Sequence, residues 1–238
     1  MDSYKELFNT VLYFLDRDEK INEETNFYKL IPEYDLFPND YLLFAEEELD
    51  LLVKNPENIR LKINCVLHLK RALNCQIDIF YNVFGFTKFL KKKNLGMDSK
   101  LHYLDELGLV KSRVMSRFNK IRNKVEHNYK IPSIADIEVY FDLIDSIITN
   151  LDKVIFKVGI NAGQSREDFE SERRFSIQYE RSSIPTINFS VDNDSKVYNG
   201  NVSIDENREL FTKLFKLYLI INEQGNVKFR KSAIETLN

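Results

Sequence analysis

The chain has 238 residues, a formal net charge of −3, 43% hydrophobic and 30% charged residues. That composition is that of a globular protein and excludes a polycation coating nucleic acid over its whole surface, so any such binding is confined to a local patch. The two cysteines, Cys65 and Cys75, stand ten apart on one expected helix and cannot bridge there, and no signal peptide or long apolar run occurs, which points to reduced thiols in a cytoplasmic protein with no membrane contact.

Residues 2–16 carry Leu7, Phe8, Val11, Leu12 and Leu15 at helical spacing. Residues 17–38 are polar and read as irregular, with Pro32 and Pro38 as punctuation. Asn39 or Asp40 is expected to cap a helix running to Lys54. Residues 1–58 hold 15 acidic and 5 basic side chains, a solvated acidic extension or a segment that tunes access to a basic face elsewhere. Residues 59–84 form the longest apolar helix, with Ile63, Val66, Leu67, Leu73, Ile77, Phe80 and Phe84 on more than one face. Lys70, Arg71, Asn74 and Asp78 interrupt it as a wet edge or the lining of a polar cleft. A short helix ends at Lys91-Lys92-Lys93, and the next begins at Asp98 or Ser99 and closes at Gly108.

The helix that follows, Leu109 to about Lys130, has the apolar stripe Val110, Val114, Phe118, Ile121, Val125 and is stopped by Pro132. Residues 111–130 hold seven Lys or Arg and one acid, Glu126. At about 100° per residue, Asn123 and His127 each lie roughly 160° from Val125, on opposite sides and so about 40° apart, facing away from the core. Arg113, Ser116, Arg117, Lys120 and Lys124 share that outer half, while Arg122 and Tyr129 sit on its flank. A helix from Ser133 to about Phe156 completes a bundle, with Ile134, Ile137, Phe141, Ile144, Ile148, Leu151 and Ile155 on its core face.

Beyond Gly159, residues 161–173 read as a linker. Arg174–Tyr179, Thr186–Val191 and Val197–Ile204 read as strands, Glu206–Ile221 as a helix and Val227–Arg230 as one more strand. The expected fold is mainly α: an acidic extension over 1–58, a helical bundle over 59–158 and a small α+β module over 159–238.

Arg122 and His127 carry the only chemistry that stands out. A guanidinium fork suits phosphate oxygens, and an imidazole exchanges protons near neutral pH. Together they suffice for attack of a ribose 2′-OH on the adjacent phosphate, with no metal and no cofactor. The same two residues also fit a purely structural role, with Arg122 paired to Glu126 and His127 set against the helix C-terminal dipole. His68, His102 and His127 are isolated from one another in sequence, so no metal site is expected.

Arg122-Asn123-Lys124-Val125-Glu126-His127 resembles the RNxxxH form of the signature of the HEPN superfamily, and residues 59–158 resemble its order of helices. The resemblance implies a helical bundle, often a homodimer, and a metal-independent endoribonuclease of toxin–antitoxin, abortive-infection or other antiviral defence systems. By position, Arg122 would stabilise the phosphate, His127 would act as general acid and base, and Asn123 would orient the site. Arg113, Arg117, Lys120 and Lys124 would hold RNA. Tyr129 extends the match to RxxxxHxY, the place where, in one branch, a nucleotidyltransferase partner modifies the tyrosine; an antitoxin is the other expected partner. Some families carry an acidic residue four positions before a basic one on the first bundle helix, but here Val66 precedes Lys70. The alternative is a non-catalytic HEPN-like module that binds RNA or protein.

Overall fold

A computed structural model describes residues 2–17, 22–25, 31–92, 96–111, 130–158, 161–168, 173–193, 196–222 and 227–237, together with Arg113, Ser116, Arg117, Lys120 and Asn123. Helices dominate: α1 (Asp2–Asp16), α2 (Pro38–Lys54), α3 (Ile59–Val83), α4 (Thr87–Lys92), α5 (Met97–Glu106), α6 (Ile134–Val158), α7 (Arg208–Asn222) and α8 (Val227–Glu235). Strands β1 (Asn22–Thr25), β2 (Asn161–Asp168), β3 (Arg173–Glu180), β4 (Thr186–Asn193) and β5 (Lys196–Ser203) form one antiparallel sheet in sequential order. Among the described residues no helix is long and apolar enough to cross a membrane.

The chain divides into two units, one of residues 1–30, 83–94 and 154–238, the other of residues 31–82 and 95–153. The three consecutive segments expected from the sequence are therefore grouped differently: α1 packs on β3, β4 and β5 instead of belonging to a separate extension.

In the first unit the sheet has one apolar and one polar face. Phe175, Ile177 and Tyr179 of β3 and Ile187, Phe189 and Val191 of β4 are buried and pair in register, so the period-2 alternation sends them all to one side. Helices α1 and α7 cover that side. Tyr179 joins Phe84, Phe86, Phe211, Phe215 and Tyr218 in an aromatic cluster with neighbouring ring centroids 5.1 to 6.5 Å apart. The Tyr179 hydroxyl donates to the Phe84 carbonyl, next to Gly85, whose φ of 69° turns the chain from α3 into α4. The opposite face is polar: Ser176 and Ser190 share a hydroxyl hydrogen bond of 2.8 Å, and Arg174 pairs with Asp192 at 2.6 Å. Gly200 of β5 lies opposite Phe189, and a Cβ there would stand 2.2 Å from the phenyl ring, so the ring occupies the space a side chain would need.

Four expectations are corrected, three in this unit and one, the cap of α2, in the other. Residues 17–38 are not wholly irregular, because Asn22–Thr25 pairs with β2. Residues 161–168 are a strand, not a linker. Both strands are polar, held by main-chain pairing, and so carry no apolar alternation to detect. Val227–Arg230 belongs to α8, where Ile234 is buried; a four-residue window is too short to tell the two periods apart. Lys231 of α8 reaches Asp16 at 2.6 Å. The cap of α2 is also shifted: Phe37 is the N-cap and Pro38 opens the helix, while the Asp40 carboxylate accepts the Phe37 N–H at 2.7 Å.

The second unit is helical. Leu69, Leu73 and Ile77 of α3, Leu101 and Leu104 of α5, and Ile137, Ile144, Ile148 and Leu151 of α6 form its core. Buried Gln76 donates to Asp152 at 2.8 Å, and the Tyr81 hydroxyl donates to the Lys100 carbonyl at 2.6 Å. The first half of α3 is not enclosed as expected: Ile63 and Leu67 keep 40% and 44% of their surface, because only one face of that half is covered. Helix α5 is capped at Gly96, two or three positions before the expected Asp98 or Ser99. At its end Gly108, with φ 77°, donates to the Asp105 carbonyl and Leu109 donates to Leu104, a left-handed stop of the Schellman type.

Candidate nucleic-acid interface

The basic segment enters and leaves through ordered anchors. The Gly108 stop turns the chain at its start, the Leu109 carbonyl accepts the Asn150 amide at 2.7 Å, and Val110, the first member of the expected apolar stripe, is buried. At its end Pro132 is buried and the Ser133 hydroxyl accepts the Asp136 N–H at 3.1 Å, so Ser133 caps α6. All of these anchors belong to the second unit.

Between them Arg113, Ser116, Arg117, Lys120 and Asn123 are helical and exposed. Their spacing of 3 or 4 residues places them on one side of a helix. Three cations therefore run along about two turns, at the 1.5 Å rise that makes roughly 10 Å from Arg113 to Lys120. Consecutive phosphates of a single strand lie within that span of one another, and exposed guanidinium and ammonium groups meet them without first giving up burial. Asn123 continues the line with an amide that both donates and accepts hydrogen bonds.

Arg122, Lys124, Glu126, His127 and Tyr129 lie outside the described residues. The structure therefore bears on the expected RNA-holding residues Arg113, Arg117 and Lys120 and on Asn123, all of which it places on exposed helical turns.

Among the described residues no group of three or more His, Cys, Asp or Glu is arranged to hold a metal. His102 lies 3.6 Å from Glu106 on α5, and His68 packs edge-on against Phe44 at 5.5 Å, each remote in sequence from the basic segment. Cys65 and Cys75 are free. Burial, with a smaller contribution from Glu48, pushes the Cys65 thiol up to about 12; burial also raises Cys75. Neither is a ready thiolate.

A second polar cluster escaped the sequence. In the first unit the Tyr13 ring carries the Arg17 guanidinium at 4.2 Å and that of Arg173 at 4.5 Å. Asp168 accepts from the Tyr13 hydroxyl at 2.9 Å and from Arg17 at 2.7 Å. The cluster latches α1 to β2 and β3. Its members are some 155 positions apart, and no local pattern marks them.

No family model matches the chain, and no curated protein or solved structure is similar to it.

Proposed function

We propose that this chain is a metal-independent endoribonuclease of the HEPN type, acting as a toxin or antiviral effector in the cytoplasm. The observation that supports this reading is the exposed helical line of Arg113, Arg117, Lys120 and Asn123, next to the RNxxxH residues in sequence. RNA phosphates bind along the cations through contacts that weaken with salt. His127 takes the proton of a ribose 2′-OH as the oxygen attacks the adjacent phosphorus, and the imidazolium returns a proton to the departing 5′-oxygen. The bond from phosphorus to the 5′-oxygen breaks, leaving a 2′,3′-cyclic phosphate and a 5′-hydroxyl. Arg122 stabilises the charge that builds on the phosphoryl oxygens, and Asn123 orients the strand. Single-stranded RNA suits the step, because attacking and leaving oxygens must come into line. A homodimer that faces two such sites to one cleft belongs to the same proposal, as do an antitoxin or nucleotidyltransferase partner and modification at Tyr129.

The test is cleavage of end-labelled RNA of mixed sequence in EDTA by the wild type and by His127→Ala. The expected result is cutting by the wild type alone, with cyclic phosphate ends. Full activity in the variant sinks the assignment. Equal RNA binding by both proteins with no cutting replaces it with a non-catalytic binding module.

A further inference from the structure

Strand β5 is the last strand of the sheet, and among the described residues no strand pairs with its outer edge. Edge strands offer a row of unpaired N–H and C=O groups, and proteins usually blunt them with charges, proline or shortness. This one is eight residues long and reads Lys196-Val-Tyr-Asn-Gly-Asn-Val-Ser203, with its single charge at the first position and no proline. Its outermost residues are wet: Val197 keeps 62% of its surface, and Asn199 and Asn201 are exposed.

The strand is also self-complementary. Tyr198, Gly200 and Val202 share the face that carries Phe189 and Val191, while Asn199 and Asn201 share the polar face. When a second copy runs antiparallel with Gly200 opposite Gly200, each Tyr198 meets the other chain's Val202. Each Asn199 meets the other chain's Asn201, and no like charges are opposed. Aromatic with β-branched pairs favour cross-strand pairing, and Asn side chains stacked on neighbouring strands can add to it. A one-residue slip would set apolar against polar faces, so the register is specified.

A groove beside the strand completes the fit. It is lined by Tyr4, Phe189, Gly200, Val202 and Leu210, with Asn207, Glu209 and Lys213 among its polar groups. Gly200 leaves room for the Phe189 ring to lie over it, and that ring lines the groove. In the two-fold register the incoming Tyr198 falls beside Val202 and Gly200, where an aromatic body finds apolar walls and its hydroxyl finds polar partners.

We infer that β5 is a self-pairing edge: two copies of this chain join their sheets through β5 with Gly200 on the two-fold axis, each inserting Tyr198 into the other's groove. The contact involves no residue of the proposed nuclease chemistry and does not depend on it. Sedimentation velocity of the full chain from micromolar to submillimolar concentration tests it, with wild type against Tyr198→Lys. The expected result is a reversible association step of the wild type that is at least tenfold weaker in the variant, the loss of about 1.4 kcal/mol, whether the unit that associates is a monomer or a dimer already formed across the proposed nuclease cleft. Hydrogen exchange of unmodified protein supplies a measurement that needs no variant: amides of residues 196–203 should exchange more slowly as concentration rises. A wild type with no concentration-dependent association step overturns the inference, as does association that leaves β5 exchange unchanged. A folded Tyr198→Lys protein that shows every association step of the wild type at unchanged affinity also overturns it, because no interface then runs through β5.

Discussion

Replacing Gly200 by Ala is the smallest change that tests the packing of the sheet. The added methyl would stand 2.2 and 2.3 Å from two atoms of the Phe189 ring, so the ring must move by about 1 Å to reach ordinary contact. Phe189 is only 5% exposed and has little room in which to move. Overpacking of this kind costs about 1–3 kcal/mol. Loss of glycine's freedom in the unfolded chain returns roughly 0.4–1 kcal/mol. The net expectation is about 1–2 kcal/mol of destabilisation, a fall in Tm of about 2–8 °C for a chain of this size. Thermal melting followed by far-ultraviolet circular dichroism measures it. The cause is isolated by repeating the change in a Phe189→Leu background, where the penalty should shrink by about 1 kcal/mol or more. An unchanged or higher Tm for Gly200→Ala, or the same penalty in both backgrounds, refutes the steric account.

Two further outcomes are expected. Cys65 is held as the neutral thiol when folded, near 12 against an ordinary 9.0, so the unfolded chain loses its proton first as pH rises. Its contribution is intact below pH 9 and drains away between pH 9 and 12, with about 1.4 kcal/mol gone by pH 10. Urea denaturation at pH 8 and pH 10 should therefore show a smaller loss in Cys65→Ala than in wild type; equal losses contradict the burial argument. Replacing Arg113, Arg117 and Lys120 together by Gln should weaken binding of single-stranded RNA and lower the slope of log affinity against log salt by about 2, since each phosphate contact contributes about 0.7. An unchanged slope in fluorescence anisotropy titrations means that RNA does not lie along this face.

The helices were legible where apolar residues recur every three or four positions. Leu7, Phe8, Val11 and Leu15 of α1 and Ile137, Ile144, Ile148 and Leu151 of α6 are buried as their spacing implies. Strands β3 and β4 were legible because Phe175, Ile177, Tyr179 and Ile187, Phe189, Val191 alternate. Strands β1 and β2 were not, since residues such as Glu23, Glu24, Ser165 and Glu167 alternate nothing apolar and pair through the main chain. Exposure of Arg113, Arg117, Lys120 and Asn123 followed from the phase of a stripe that begins at buried Val110. The α1–sheet latch depends on Tyr13 meeting Asp168, a closure that only the folded chain brings about.

The position of α1 on a sheet built largely from residues 161–203 bears on how the protein is made. Asp2–Asp16 leaves the ribosome about 150–200 residues before its partners on β3–β5. At about 5–20 residues per second it waits roughly 10–40 s with Leu7, Phe8 and Val11 uncovered. The unit of residues 31–82 and 95–153, which carries the basic face, has its contacts within a shorter stretch and is complete first. We expect protease to cut the N-terminal segment in chains stalled near residue 160 and to spare it in chains stalled well past Asn222. Helix α1 would thus be made long before it finds shelter, and in that interval it is the natural client of a chaperone.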